Sequence, residues 1–364
     1  MKFIIFWFIC AVLTLSSAED CVVNEFSRVQ EALDKCDDIV FDNLSVPGGE
    51  TLKLLPRDGT TIRFEGRTVF GYAEWAGPLV AINGTNITIE GGEGSVLDGQ
   101  GQLYWDGQGE WGTLKPKFFI IQLHDSIFKN IYVLNSPVHC VLLTDSTGVT
   151  FSNWTIDNSS GDEDKAPDNF GHNTDGFDVF NSTDIILEHA SVFNQDDCVA
   201  VRSGSNILID DFYCHGGHGL SISVGFSNDS FALNTLFNVT FSNSHLEGGE
   251  NGIHIKTHID SSKGLMQNIT YRNVTFNGPS KYGINVQQNY KNMPANSSFP
   301  AEPDNNIPIR NLQLIDVGGN VKESAIPIYI LCAKEGCFDW SFRSVYVNGK
   351  QSNDCNYSPV DFTC

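Results

Sequence analysis

Short strand-like segments that recur at intervals near 22 residues are the feature that most constrains the fold of this chain. Each segment has two alternating apolar runs separated by one polar residue, as in residues 149–156, where Asn153 divides the runs. Alternation at every second position, with β-branched and aromatic side chains, predicts strands rather than helices. Some intervals exceed 22 residues, as expected for loops inserted into a coil. The segments are residues 127–133, 149–156, 185–192, 207–214, 239–246 and 269–276.

A second series of short segments runs beside the first. The third and fifth residues of each segment are apolar, and the first and fourth are mostly polar, so one pair points inward and the other faces water. Strands that repeat once per coil predict an all-β fold, a single right-handed parallel β-helix with coils stacked ~4.8 Å apart. An antiparallel sandwich is the alternative, but the hairpin turn signals that it requires are sparse. The segments are residues 175–179, 197–201, 218–222, 251–255 and 282–286.

The two ends of an open solenoid expose unpaired strand edges and need to be covered. Within residues 24–36, Phe26, Val29 and Leu33 stand at helical spacing, so we expect a short N-terminal capping helix there. The cysteine-rich tail, residues 332–364, is expected to close the other end.

The first residues have the composition of a secretory signal peptide. Lys2 supplies a positive charge, residues 3–15 are apolar, and small residues follow at positions 16–18. The apolar run is shorter than the ~20 residues that a membrane span requires. We therefore expect residues 1–18 to be a cleaved signal peptide, residues 19–364 to form one β-helical domain, and the protein to be secreted.

The chain is strongly acidic. It contains 44 Asp and Glu against 22 Lys and Arg, for a net charge of −22, and its hydrophobic content is 41 %. That hydrophobic content excludes intrinsic disorder. Nucleic acids and anionic membranes are not expected as partners, because both bind basic surfaces. We expect a monomer.

Export predicts disulfide bonds, because oxidising compartments favour them. Pairing of sequence neighbours would leave Cys140 over, and we expect it to be a buried thiol that acts as a small hydrophobic side chain. Spacing alone does not establish the connectivity. Several Asn-x-Ser/Thr sequences, Asn43 among them, also fit an exported glycoprotein. Neighbour pairing would join Cys21 to Cys36, Cys198 to Cys214, Cys332 to Cys337 and Cys355 to Cys364.

Three carboxylates and an imidazole align on the second series of segments. Asp175 and Asp197 are 22 residues apart, Asp196 adjoins Asp197, and His218 lies 21 residues after Asp197. Repulsion between neighbouring carboxylates raises at least one pKa, which places a protonated acid beside an ionised base. Glycoside hydrolysis needs such a pair. A solvated acidic face and a Ca²⁺ site are the alternatives.

Four ordered sequence blocks resemble the signatures of the polygalacturonases, glycoside hydrolase family 28. The resemblance extends over essentially the whole mature chain, including residues 282–290 and 328–332. It implies a right-handed β-helix, inverting hydrolysis of α-1,4-linked galacturonan and no metal or other cofactor. It also supports the four neighbouring disulfide pairs. The blocks are residues 173–178, 195–198, 216–221 and 255–256.

The resemblance implies a role for each member of the acidic group. Asp196 matches the general acid, which protonates the leaving oxygen. Asp175 and Asp197 match the pair that activates the attacking water. His218 matches the histidine that holds the protonation state of the acid.

The same resemblance implies four substrate-binding positions. Lys256 matches a lysine that binds a substrate carboxylate, Tyr282 matches a tyrosine of the subsites, and Asn173 matches a polar residue that supports the first aspartate. The family arginine of Arg-Ile-Lys is replaced by His254, which lacks the planar fork that clasps a carboxylate. His254 would supply a positive charge only below its ordinary pKa of ~6.5. The loop at residues 221–225 is one residue shorter than usual.

Two classes of function therefore remain open. The first is a secreted, endo-acting polygalacturonase whose partner is pectin or polygalacturonic acid. The second is a catalytically impaired relative that binds pectic oligosaccharides, because of the change at His254. The spacing of His215 with His218, and of His254 with His258, resembles metal sites but lacks the glutamate of a helical zinc site, so no metal is predicted.

Overall fold

A computed structural model describes residues 21–293 and 302–364 of the protein. Its 26 strands belong to one sheet, and every strand pairing within the described residues is parallel. The predicted all-β parallel β-helix is confirmed, and the antiparallel sandwich is wrong. The predicted signal peptide, residues 1–18, lies outside the described residues, and the domain boundary stays a prediction.

The first half of the fold contains one helix and the shorter strands. The α-helix is α1 (Val29–Lys35), and single 3₁₀ turns occupy Phe26–Arg28, Gly101–Leu103, Gly109–Trp111, Ser159–Gly161 and Ala232–Asn234. The strands are β1 (Val22–Val23), β2 (Asp38–Asp42), β3 (Ser45–Val46), β4 (Leu52–Leu54), β5 (Thr61–Glu65), β6 (Arg67–Phe70), β7 (Val80–Thr85), β8 (Thr88–Gly91), β9 (Val96–Asp98), β10 (Phe119–Leu134), β11 (Val141–Thr144), β12 (Thr147–Asp157) and β13 (Phe177–Phe180).

The second half continues the same winding to the C-terminal tail. Its long strands alternate with the short strands that carry the polar segments. The strands are β14 (Ser182–Asn194), β15 (Asp197–Val201), β16 (Gly204–Gly216), β17 (Gly219–Val224), β18 (Thr235–Glu247), β19 (Asn251–His258), β20 (Leu265–Asn277), β21 (Tyr282–Tyr290), β22 (Ile309–Asn320), β23 (Ile326–Leu331), β24 (Cys337–Phe338), β25 (Ser341–Asn348) and β26 (Asp354–Cys355).

Each long strand is bent at its central polar residue. Asn153 in β12 has a φ of 57°, and Asn243 in β18 has a φ of 50°. Asparagine tolerates this left-handed conformation better than most residues, because its short polar side chain bonds locally. The side chains also link the coils, since the Asn153 amide donates to Asn130 at 2.8 Å and the Asn273 amide donates to Asn243 at 2.9 Å. The predicted break between two apolar runs is therefore a turn within one long strand.

Large aromatic side chains fill the interior at successive coils. The Trp154 ring lies 4.6 Å from the Phe128 ring and 5.5 Å from the Phe177 ring, and Phe177 lies 5.9 Å from Phe212. Phe151 packs into the same stack, 5.6 Å from Trp154. The buried Trp154 indole N–H donates to the Phe128 carbonyl at 2.9 Å, so its only polar group is satisfied. Such packing is the principal stabilisation of the stacked coils.

Both ends of the described solenoid carry covalent links. The helix α1 buries Val29, Ala32 and Leu33 over the first coil, as the helical spacing predicted, and begins three residues later than Phe26. The four disulfides are Cys21–Cys36, Cys198–Cys214, Cys332–Cys337 and Cys355–Cys364. Cys140 is buried, which raises the pKa of its thiol to about 12 and leaves it an unreactive apolar side chain. No helix within the described ranges is long and apolar enough to cross a membrane.

The aromatic stack predicts where a truncation is costly. Phe151→Ala removes a side chain that is 1 % exposed, and we expect it to lower the free energy of unfolding by about 3–5 kcal/mol. Phe237→Ala is the matched control, because Phe237 is 41 % exposed, and we expect a change below about 1 kcal/mol. Urea unfolding of both variants measures the difference. Equal losses would contradict the assignment of Phe151 to the interior.

Candidate active site

Backbone hydrogen bonds between consecutive coils bring the predicted acidic group together. The Gly176 N–H donates to the Asp197 carbonyl at 2.9 Å, and the His218 N–H donates to the Asp196 carbonyl at 2.8 Å. Asp175 therefore lies immediately beside Asp196 and Asp197 on one coil edge, with His218 on the next. All four residues line one cleft that opens on the face of the short strands.

Asp196 forms the most extensive contacts of the group. Its Oδ1 accepts the Asp197 backbone N–H at 2.7 Å and lies 2.8 Å from His218 Nδ1. Its Oδ2 accepts the Asn173 amide at 2.8 Å, so Asn173 supports Asp196 rather than Asp175. Burial alone would raise the pKa of Asp196, but the charge and hydrogen bond of His218 hold it below its usual range.

His218 completes a pair that shares one proton with Asp196. Burial lowers the pKa of His218, but the Asp196 carboxylate and, at 3.5 Å, Glu250 raise it to about 9. Glu250 is itself held by Lys281 at 2.6 Å. Since the two groups are in contact, they titrate as a unit, and the unit carries one proton below about pH 9.

Asp197 contacts a buried lysine and a buried serine. Its Oδ2 lies 2.9 Å from Lys256 Nζ, and its Oδ1 accepts the Ser221 hydroxyl at 2.5 Å. Burial lowers the pKa of Lys256, but Asp197 raises it above its usual value, so the pair is ionic. Lys256 Nζ also lies 4.8 Å above the Tyr290 ring, at the floor of the cleft. Tyr290 was not among the predicted residues.

Of the three carboxyl groups, that of Asp175 has the fewest hydrogen bonds and ion pairs. Its Oδ1 is buried without a hydrogen-bond partner among the described residues, and His139 Nε2 lies 3.4 Å from it. Burial, and next the charge of Asp196, raise the pKa of Asp175 well above its usual value. Asp175 is therefore easier to protonate than an ordinary aspartate.

A lysine and a histidine that the sequence did not indicate stand behind Asp175. Lys117 Nζ lies 2.6 Å from His139 Nδ1. Burial, and next the charge of Lys117, lower the pKa of His139 well below its usual value. The neutral ring accepts the ammonium hydrogen at Nδ1, and its own proton then lies at Nε2, which faces Asp175.

The remaining predicted binding residues lie on the far side of the cleft. His254 stacks next to Ser221 on the neighbouring coil, and both of its buried ring nitrogens lack hydrogen-bond partners within the described part of the chain. Burial, and next the charge of Lys256, lower the pKa of His254 well below its usual value, which argues against a positively charged His254. Tyr282 lines the cleft on the same side as His254, with its ring 5.1 Å from that of Tyr329.

The cleft consists of two cavities that meet at Asp196. The first, of about 310 Å³, holds Asp175 and extends towards Arg202 and Phe226. The second, of about 610 Å³, holds His218 and extends towards Lys281. Residues common to both walls are Asn173, Asp196, Lys256, Tyr290 and Asn292.

Among the residues that the structure describes, two groups of side chains are close enough to consider as metal sites. Each brings three ligand atoms within 4.8 Å of one another. In the second group the hydrogen bonds and ion pairs of the carboxylates already occupy the oxygens that a cation would need. In the first group the neighbouring Lys117 and Arg202 repel a cation. Neither donor set fits a metal ion. The groups are His139 with Asp175 and Asp178, and Asp196 with Asp197 and His218.

Glycoside hydrolases use a pair of carboxyl groups, one as an acid and one as a base or nucleophile. Three carboxyl groups line this open cleft, and one of them contacts an imidazole. The family model described as Glycosyl hydrolases family 28 matches residues 36–364. The chain belongs to this family, and the resemblance found in its sequence blocks is confirmed.

Curated relatives and solved structures agree with the family assignment. The chain is 45 % identical over 350 residues to a polygalacturonase of Phaedon cochleariae, covering 94 % of this chain and 93 % of that protein. It is 43 % identical to a probable endopolygalacturonase E of Aspergillus niger, covering 93 % and 86 %. Endopolygalacturonase I from Stereum purpureum, solved in complex with two galacturonates, superposes with a TM-score of 0.78 at 28 % identity, covering 92 % and 96 %.

The charge of Glu250 predicts a measurable effect on the proton-sharing pair. Glu250→Gln removes a carboxylate 3.5 Å from His218 and frees the positive Lys281, so we expect the pKa of His218 to fall below its value of about 9. Nuclear magnetic resonance titration of the imidazole measures this shift. Glu323→Gln, which breaks the exposed ion pair with Lys350, should leave the titration unchanged. An unaltered pKa in Glu250→Gln would contradict this account of the pair.

Proposed function

We propose that this protein is a secreted polygalacturonase that hydrolyses α-1,4-galacturonosidic bonds in the interior of pectic chains, with inversion at the anomeric carbon. The observation that carries the proposal is the 2.8 Å contact of Asp196 with His218 beside Asp175 in an open cleft. Polygalacturonase and endopolygalacturonase relatives above 40 % identity support the substrate and the endo action. The four disulfides and the predicted signal peptide support secretion.

The proposed reaction uses Asp196 as the general acid. Asp196, supplied by His218, passes its proton to the glycosidic oxygen as the bond from that oxygen to the anomeric carbon breaks. The pair then carries no proton and regains one from solvent. Because the pair holds its proton below about pH 9, it has a proton to donate over the neutral and acidic range.

The attacking water is proposed to lose its proton to the other two carboxylates. Asp197 is fixed by Lys256 and Ser221 and orients the water, whereas Asp175 has an uncommitted oxygen that accepts the proton. The water oxygen bonds to the anomeric carbon from the face opposite the leaving group, which inverts the configuration. Activity should rise as pH increases through the raised pKa of Asp175 and fall again near pH 9.

The first test is hydrolysis itself. Wild-type protein should release reducing ends from polygalacturonate, and Asp196→Asn should lower kcat by about 10²-fold or more, because it cannot deliver the proton. Asp37→Asn, at an exposed ion pair with Arg57, is the control and should match the wild type. Sizing of the products should show a range of oligomers, and the first-formed reducing end should be the β-anomer. No product from wild-type protein at any pH would reject the proposal.

The impaired relative is the second candidate, favoured by the uncharged His254. His254→Arg should lower the KM for polygalacturonate by about 10–100-fold if the missing charge limits binding, since charged hydrogen bonds contribute about 1.5–3 kcal/mol. His254→Gln separates charge from shape and should give no such gain. A wild type without activity, together with an active His254→Arg, would establish the impaired relative. A KM that does not change in His254→Arg would show that the position does not limit binding.

A further inference from the structure

Two cations in the smaller cavity take no part in the mechanism above. Arg202 directly follows β15, and Lys117 lies just before β10. Neither residue belongs to the four sequence blocks that resemble the family. Both line the cavity of about 310 Å³ on the Asp175 side of the cleft. Arg202 lies on the row of outward positions that continues through Ser223 to Lys256 on successive coils. One row therefore places one cation, Arg202, in the smaller cavity and another, Lys256, where the two cavities meet.

The guanidinium of Arg202 is held in place but keeps one N–H group without a hydrogen-bond partner among the described residues. Its terminal nitrogen donates to Asp178 at 2.6 Å, and Asp178 is almost completely buried. Its plane lies 4.8 Å from the centre of the Phe226 ring. Its Nε hydrogen is buried without a hydrogen-bond partner among the described residues. A buried N–H group without an acceptor lowers stability. A bound anion would accept a hydrogen bond from this N–H group and remove the cost.

Lys117 adds a charge that no carboxylate neutralises by direct contact. The polar partner of its ammonium group among the described residues is the neutral His139, at 2.6 Å, and no ion pair within 4.0 Å joins it to an acidic residue there. Phe226 is 41 % exposed and gives the cavity an apolar wall, against which the face of a sugar ring can pack. Two cations and an aromatic wall suit a sugar that carries a carboxylate.

We infer that Arg202 and Lys117 form a carboxylate-binding subsite for a galacturonate unit on the Asp175 side of the bond that is cleaved. The inference rests on the proposed function for the identity of the sugar. With Lys256 in the centre and Lys281 in the larger cavity, this subsite lets the acidic chain cross the cleft with a cation at each step. It also supplies, on this side, a guanidinium fork of the kind that His254 lacks on the other.

The test uses the substrate carboxylate as the variable. The paired change Arg202→Gln with Asp178→Asn removes both charges, so that no buried charge is left unpaired. We expect kcat/KM on unesterified polygalacturonate to fall by about 10–100-fold, mainly through KM, and to fall by less than about threefold on highly methyl-esterified pectin. Arg202→Lys should recover part of the loss, because it keeps the charge without the fork.

The control removes an arginine–aspartate ion pair of the same length elsewhere, with a more exposed arginine. Arg67→Gln with Asp98→Asn breaks a pair of the same 2.6 Å length on another face of the solenoid and should leave both rates unchanged. Equal losses on both substrates in the Arg202 variant would show a structural role and overturn the inference. A loss no greater than that of the control would also overturn it.

Equilibrium binding separates this inference from the proposed function. If the wild type cleaves neither substrate, the hydrolase proposal fails, and calorimetry with trigalacturonate and its methyl ester still tests the subsite. The wild type should bind the acid at least about tenfold more tightly than the ester, and the paired variant should lose that preference. Equal affinities of the wild type for acid and ester would overturn the subsite.

Discussion

The parallel hydrogen-bond ladder between successive coils is the constraint on which the rest of the structure depends. Each coil is held in register with the next, so residues one coil apart, 36 positions between β12 and β14 and 22 between β14 and β16, become neighbours about 4.8 Å apart. Asp175, Asp197 and His218 owe their proximity to this ladder rather than to any local motif. A shift of one residue in any strand pairing would turn the outward side chains into the core and expose the aromatic ones. The buried aromatic stack therefore fixes the register that brings the site residues together.

Burial and paired charges together set the proton distribution in the cleft. Along one edge of the solenoid, basic and acidic groups follow one another from Lys117 through Asp175 to Lys281, and each coil contributes to the line. The two imidazoles in this line behave in opposite ways. His218 contacts two carboxylates and is protonated, whereas His139 contacts a lysine and is neutral. Burial lowers the pKa of both rings. The carboxylates beside His218 outweigh that effect, whereas Lys117 adds to it at His139.

Most of the fold, and the centre of the site, could be predicted from the sequence, because both follow from regular spacing. The capping helix, the bent strands and the acidic group all depend on periodicity that is visible in the residues. His139 escaped notice because a long insertion separates it from Asp175, at 36 positions rather than 22. Tyr290 was assigned no role because it lies beyond the repeated segment of residues 282–286, and a register shift after Lys256 brings this end of β21 over the lysine. The charge of His254 depends on burial, which no local pattern reveals.

The positions of the four disulfides affect how a solenoid of this kind unfolds. A stack of coils that touch only their neighbours tends to unravel from its ends. Cys21–Cys36 lies at one end of the described chain, and Cys332–Cys337 and Cys355–Cys364 lie at the other. The fourth bond joins Cys198, next to Asp197, to Cys214 on the coil that leads to His218. Fraying from either end of the described chain therefore starts at coils that a disulfide bond already holds together.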